Sequence, residues 1–166
     1  MALAVGLRAS VRAAVSEPDT AVALGSGDVP VLGTPRLLAL AEAATVAAVT
    51  PQLAPGETTV GTSVTLEHRR ASPLGSGLVV EAELTEVDGR RLVFSFIAWR
   101  ADMAGPPSGD QAGGDRGDGE GLVLDEHVVG AGTIERVVVS TERFLARARD
   151  WARPGAPGQT PVVERG

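Results

Sequence analysis

The spacing of apolar positions changes several times along this chain, and each change marks an element. Between Val5 and Val15, apolar or small residues fall on every second position: Val5, Leu7, Ala9, Val11, Ala13 and Val15. A period of two predicts a half-buried strand. Arg8 and Arg12 interrupt the same stretch, so it lacks the charge-first, apolar-run order of a secretory signal. No apolar run approaches the length of a membrane span, and the expectation is a soluble cytoplasmic protein. Ser16-Glu17-Pro18-Asp19 predicts a turn, Thr20–Leu24 a short strand, and Gly25–Pro30 a flexible approach to a helix.

That helix is predicted from Thr34 to Val49, with Pro35 suited to its first turn and Pro51 closing it. Leu37, Leu38, Leu40, Val46 and a series of alanines make it apolar nearly all round, a pattern that predicts burial on every side. From Thr58 the period returns to two. Strands are predicted over Thr58–Arg70, Gly77–Val87, Arg91–Arg100 and Glu126–Ser140, with Asp88-Gly89 as a hairpin turn between the second and third. Ala104–Gly121 holds seven Gly, two Pro and four acids in 18 residues, which reads as a surface loop. A terminal helix over Glu142–Ala152 precedes a tail, from Arg153, with the composition of a disordered end. One strand, one apolar helix and then several antiparallel strands predict a single α+β domain over residues 1–152, its helix wrapped by a curved sheet.

Composition narrows the chemistry. The chain has 166 residues, enough for one substantial core, and 43% of them are hydrophobic. It contains no Cys, Lys, Tyr or Asn. Thiolate–metal sites, cysteine nucleophiles and lysine Schiff bases are therefore excluded. A net charge of −6 with only five aromatic residues argues against a nucleic-acid partner. Asp115, Asp118 and Glu120 hint at calcium, but Glu120 stands where an EF-hand loop requires Gly, so no metal is expected.

Few residues remain to carry a reaction. Glu42 is the one carboxylate in the apolar helix, so it must be paired, protonated or placed at a cavity. An ion pair with Arg69 or Arg136 is the structural explanation. His68, late in the second strand, and His127 are the only histidines. Either could be a satisfied structural residue, and His127 has no supporting context. The Thr34 hydroxyl could cap the helix or, beside the free N–H groups of a helix terminus, help a developing oxyanion.

Taken together these residues resemble a known family. Gly33-Thr34-Pro35, Glu42, Leu53-Ala54-Pro55-Gly56-Glu57, Val60-Gly61-Thr62-Ser63-Val64, His68 and Ser72-Pro73-Leu74-Gly75 follow in order. They are similar to the fluoroacetyl-CoA thioesterase family of hot-dog proteins, and the resemblance continues through Glu86–Leu92 and Gly132–Arg136. The family places a Thr, a Glu eight residues later and a His 26 residues beyond that, which Thr34, Glu42 and His68 match without a gap. The resemblance implies a hot-dog fold, a homodimer, and hydrolysis of a small or medium acyl-CoA, or a related acyl thioester, without metal or other cofactor. His68 would be the general base, Glu42 its partner or a participant, and Thr34 a nucleophile or a substrate-polarising hydroxyl. Gly33, Gly61 and Thr62 would border the substrate, with Arg136 nearby.

Two features temper the match. The family's namesake carries phenylalanines before the helix that select the fluorinated substrate, whereas Gly25–Gly33 here has no aromatic residue. Fluoroacetyl-CoA is thus a poor guess for the substrate. In addition, Thr34 and Glu42 lie about 12 Å apart along an ideal helix, so either Thr34 folds back or a partner subunit completes the site. Two other readings on the same fold are a non-catalytic ligand-binding protein and an acyl-thioester hydratase or dehydratase. The latter resemble one another in pairing an Asp closely with a His, which is missing around His68.

Overall fold

The computed structural model describes residues 3–102 and 127–151. The expected loop at 104–121 and the tail from Arg153 lie outside them, as do the three acids considered for calcium. The order is β1 (Arg8–Ala14), α1 (Thr34–Val49), β2 (Glu57–His68), β3 (Gly77–Asp88), β4 (Arg91–Arg100), β5 (Val128–Ser140) and α2 (Thr141–Trp151). The strands form one antiparallel sheet in the order β1-β3-β4-β5-β2. This is a hot-dog fold, with α1 packed on one face of a five-stranded sheet.

The core explains why α1 lies where it does. Leu37, Leu40, Ala41 and Ala44 are buried against Leu78, Val80, Phe96 and Ile134. Burial of each large side chain contributes roughly 1.5–3 kcal/mol, and the alanines let the helix approach the sheet closely. A second cluster, with Val49, Leu84, Leu92, Phe94 and Val138, holds the C-terminal end of α1. The opposite face of the sheet is polar, with Arg8 bridging Glu81 and Glu83 and Arg91 bridging Glu86 and Glu135.

Several expectations change. Thr20–Leu24 is not a strand; only Thr20 forms an isolated bridge, to Leu32, and the segment turns back on itself. The β3–β4 turn is Gly89-Arg90, one position later than expected, with Gly89 at φ +57° in the first central position. Burial of α1 is also incomplete: Pro35, Ala39, Ala43 and Ala47 are exposed, because the sheet covers only one side of the helix. The two edges of the sheet differ as well. β2 is an edge strand of 12 residues, and Gly61–Thr65 are exposed on both faces.

Candidate active site

The segment before α1 is braced before it enters the helix. Asp19 accepts hydrogen bonds from the Ser16 hydroxyl and backbone N–H, at 2.5 and 2.8 Å, and lies 2.6 Å from Arg36 in the first turn of α1. The Ser16 hydrogen bonds, then Arg36, hold its carboxyl below the ordinary range. Its carbonyl accepts the Gly33 N–H at 2.9 Å. Gly33 is the N-cap residue and is tightly packed: a Cβ there would lie 2.9 Å from Leu24 Cδ1 and 3.2 Å from the Ala21 backbone.

Thr34 therefore begins the helix and does not cap it. Its hydroxyl is directed to the end of β2, where Thr34 Oγ1 and His68 Nδ1 are 2.9 Å apart. Thr34 is exposed, while His68 is half-buried and its Nε2 is buried without a hydrogen-bond partner. Burial pushes the His68 pKa below its ordinary 6.5, with a partial opposing effect from the Arg70 backbone. A neutral imidazole at pH 7 follows. Its reachable nitrogen is Nδ1, which can take a proton from the Thr34 hydroxyl or from a water held beside it.

Glu42 belongs to a second cluster, near the middle of β2. Arg136, 5% exposed, donates from Nε to Thr59 Oγ1 and from Nη2 to the Thr59 carbonyl, both at 2.9 Å, and from Nη1 to Glu42 Oε1 at 3.2 Å. Of the two arginines considered for Glu42, Arg136 is its partner, whereas Arg69 pairs with Glu67. Burial lowers the Arg136 pKa and the Glu42 charge opposes that shift. Glu42 lies directly over Gly61, where a Cβ would come within 2.5 Å of Oε1. A side chain at the Gly61 position would have to displace the Glu42 carboxylate from its place. Thr62 is exposed and its hydroxyl donates to the Glu135 carbonyl at 3.3 Å. Nothing in the sequence singles out Thr59, whose hydroxyl and carbonyl both anchor Arg136.

A bulge relates the two clusters. Residues seven apart in a regular strand point to opposite faces. The register of β2 against β5 shifts between Gly61 and Ser63, and this irregularity restores Leu66 and His68 to the helix-facing side. Thr59 and Gly61 therefore share a face with His68, yet within one chain the Thr34–His68 pair and the Glu42–Arg136 pair remain separate. His127 lies half-buried in the turn before β5, apart from both. Among the described residues, no group of three or more His, Cys, Asp or Glu is arranged to hold a metal, and no helix is long and apolar enough to cross a membrane.

The model of the fluoroacetyl-CoA-specific thioesterase family matches residues 15–104, a span that includes Thr34, Glu42 and His68. The chain belongs to the fluoroacetyl-CoA thioesterase family. The fluoroacetyl-CoA thioesterase of Streptantibioticus cattleyicolor is 36% identical over 119 residues, covering 72% of this chain and 68% of that protein. A solved structure of the fluoroacetyl-CoA thioesterase FlK superposes with a TM-score of 0.73 at 28% identity, covering 92% of this chain and all of that one. A Thermus thermophilus member of the thioesterase superfamily, at 20% identity and a TM-score of 0.68 over 89% of this chain and 92% of that one, shares the fold.

Proposed function

We propose that this member of the fluoroacetyl-CoA thioesterase family hydrolyses a small or medium aliphatic acyl-CoA, at a site completed by two subunits. Acyl-CoA thioester hydrolysis is the activity of the family. The observation that carries the mechanism is the 2.9 Å contact between Thr34 Oγ1 and His68 Nδ1. His68 Nδ1 takes the hydroxyl proton as Thr34 Oγ1 attacks the thioester carbon. The partial positive charge at the start of α1 stabilises the oxyanion that forms. Collapse expels the thiolate, which takes up a proton, and water then releases the acid from the acyl-threonine. Because Nε2 is buried, the hydroxyl at Nδ1 is the better-placed nucleophile.

The second subunit supplies Glu42. An unprotected edge strand such as β2 is a template for pairing, and pairing with its own copy across a perpendicular two-fold axis is antiparallel. Centred on Ser63, the middle of the exposed stretch, such pairing leaves the partner's His68 three residues, roughly 10 Å, along the strand from the point opposite Gly61. The same path within one chain is seven residues, roughly 23 Å. Glu42, held over Gly61 by Arg136, would then face the thioester bound at the partner's Thr34–His68 pair and orient the hydrolytic water. In this assignment Arg136 positions Glu42 and Gly61 keeps the approach clear.

The acyl end would occupy the recess of about 280 Å³ beside Thr34 and His68, whose walls include Ala21, Val29, Val31 and Leu32. The aliphatic part of that wall, with no Phe or Trp among the lining residues, favours an unfluorinated chain over fluoroacetyl. The test is free-thiol release across a panel of acyl-CoAs, with mass spectrometry of the protein during turnover of the slowest good substrate. An acyl adduct on Thr34, lost in Thr34→Val, is expected. Thiol release that persists in Thr34→Val would favour direct attack by water, and no thiol release from any substrate would favour a binding protein.

A further inference from the structure

The Thr34–His68 contact joins two elements that are anchored separately. His68 ends β2 in register with Gly130 of β5, and the Arg69 N–H just beyond it donates to the Val129 carbonyl at 2.8 Å. Thr34 begins α1, and the helix supplies little of its own to fix that start. Its N-cap is Gly33, no side chain caps it, and its first turn holds no acidic residue. The first turn holds a cation instead, Arg36, which the partial positive charge of a helix N-terminus disfavours. An exposed hydroxyl on an uncapped turn is free to shift as that turn frays.

Asp19 supplies from outside what the helix lacks. It is buried, and each of its carboxylate oxygens is committed. Oδ2 accepts from the Ser16 hydroxyl and N–H, and Oδ1 lies 2.6 Å from Arg36 Nε. Arg36 Nε is itself buried and makes no aligned hydrogen bond, so charge holds the pair together. The Asp19 carbonyl meanwhile accepts the Gly33 N–H at 2.9 Å. One residue thus grips the start of α1 twice, the N-cap through its backbone and Arg36 through its carboxylate. Thr34 and Arg36, two residues apart, lie on nearly opposite sides of the helix. Holding Arg36 therefore fixes the rotation of the turn that aims Thr34 at the imidazole.

We infer that Asp19 is a positioning residue of the reaction, acting through Arg36 to hold the Thr34 hydroxyl against His68 Nδ1. Asp19 does not line the recess beside Thr34 and His68, so its effect is on geometry and not on substrate contact. Reacting groups misplaced by about 1 Å can lose a factor of about 10² in rate. A loosened first turn therefore lowers turnover more than affinity. A purely structural brace would change stability and leave the folded enzyme at parental turnover. This role rests on the thioesterase reading above, but the contact it controls is observable without turnover.

The experiment combines kinetics of Asp19→Asn and Arg36→Met with nitrogen NMR of the histidine rings, of which the chain has only two. Asn keeps one acceptor oxygen for Ser16 and loses the charge that holds Arg36. Thr34→Val gives the His68 Nδ1 resonance without its hydroxyl partner. In Asp19→Asn and in Arg36→Met that resonance should move at least halfway to the Thr34→Val position. Turnover of the best acyl-CoA should fall about tenfold in each, with KM nearly unchanged. The double variant should fall no further than either single one, and Arg36→Lys, which keeps the charge, should regain part of the loss. Folded Asp19→Asn and Arg36→Met enzymes that keep either the parental resonance or the parental kcat overturn the inference. A further fall in the double variant does the same, because Asp19 would then act by another route. If Asp19→Asn fails to fold, Arg36→Met decides alone, since its side chain is 39% exposed and its loss leaves the Ser16 contacts in place. A parent enzyme that releases thiol from no acyl-CoA, with the resonance displaced as expected in the variants, refutes the thioesterase reading and leaves the hold on Thr34 standing.

Discussion

The two polar clusters on the helix-facing side of the sheet differ in what each leaves unfinished. Glu42, Arg136 and Thr59 satisfy one another: the guanidinium binds a carboxylate, a hydroxyl and a carbonyl, and it is nearly inaccessible. Thr34 and His68 form one hydrogen bond with each other, and among the described residues no carboxylate is bonded to the ring. A complete ion pair holds a side chain in place. An exposed hydroxyl against a neutral imidazole has an unused capacity to lose and accept a proton. The difference separates residues grouped by one sequence motif into a positioning half and, on the proposed mechanism, a reacting half that a second subunit would reunite with it.

The largest effect should come from breaking the reacting half. His68→Ala should lower thiol release by about 10²–10⁴-fold, with the dimer retained by light scattering. Little loss of specific activity in folded protein would remove His68 from the chemistry.

Arg136→Ala breaks the other half. It leaves Glu42 without its cation and the Thr59 acceptors without their donor, while Glu42, with 38% side-chain exposure, regains some hydration. A loss of about 2–4 kcal/mol in unfolding free energy is expected, measured by urea denaturation. Stability within about 0.5 kcal/mol of the parent would contradict the account of that cluster.

Glu42→Gln sharpens the comparison, because it keeps volume and removes charge. The variant should remain folded, with a melting temperature similar to or above that of the parent, while turnover falls roughly tenfold, a barrier change of about 1.4 kcal/mol. Full turnover would confine Glu42 to a structural role.

The smallest effect concerns pH. The base must be unprotonated, so activity should be lost as pH falls through the His68 pKa, which burial holds below 6.5. A nearby carboxylate favours the imidazolium. If Glu42 of the partner subunit lies near the ring, Glu42→Gln should move the acid limb of kcat/KM to still lower pH. An unmoved limb would place Glu42 away from His68 in the assembled enzyme.

Much of this was legible in the residue order, because the signals were local. The period-two run around β1, the Pro35 and Pro51 brackets of α1 and the alternation of β3 and β4 depend on near neighbours, and the elements follow them closely. The spacing of Thr34, Glu42 and His68 was legible as a family pattern. Short-range rules were weaker where a tertiary contact competed. Thr34 looked like a helix cap, but His68 offers its hydroxyl a partner from 34 residues away. Thr20–Leu24 looked like a strand, but its backbone folds against Gly33 at the start of α1.

The sequence by itself determined the α+β class, the elements that carry the candidate residues and the excluded chemistries, since these follow from composition and periodicity. Only the tertiary structure decided which groups meet. Arg136 reaches Glu42 across 94 residues, and no local rule chooses between it and Arg69. The face on which His68 lies depends on the irregularity between Gly61 and Ser63. Strict alternation from Gly61 would have turned the imidazole to the other side of the sheet, and in an edge strand that shift arises from pairing with β5, beyond the reach of a pattern read along one strand.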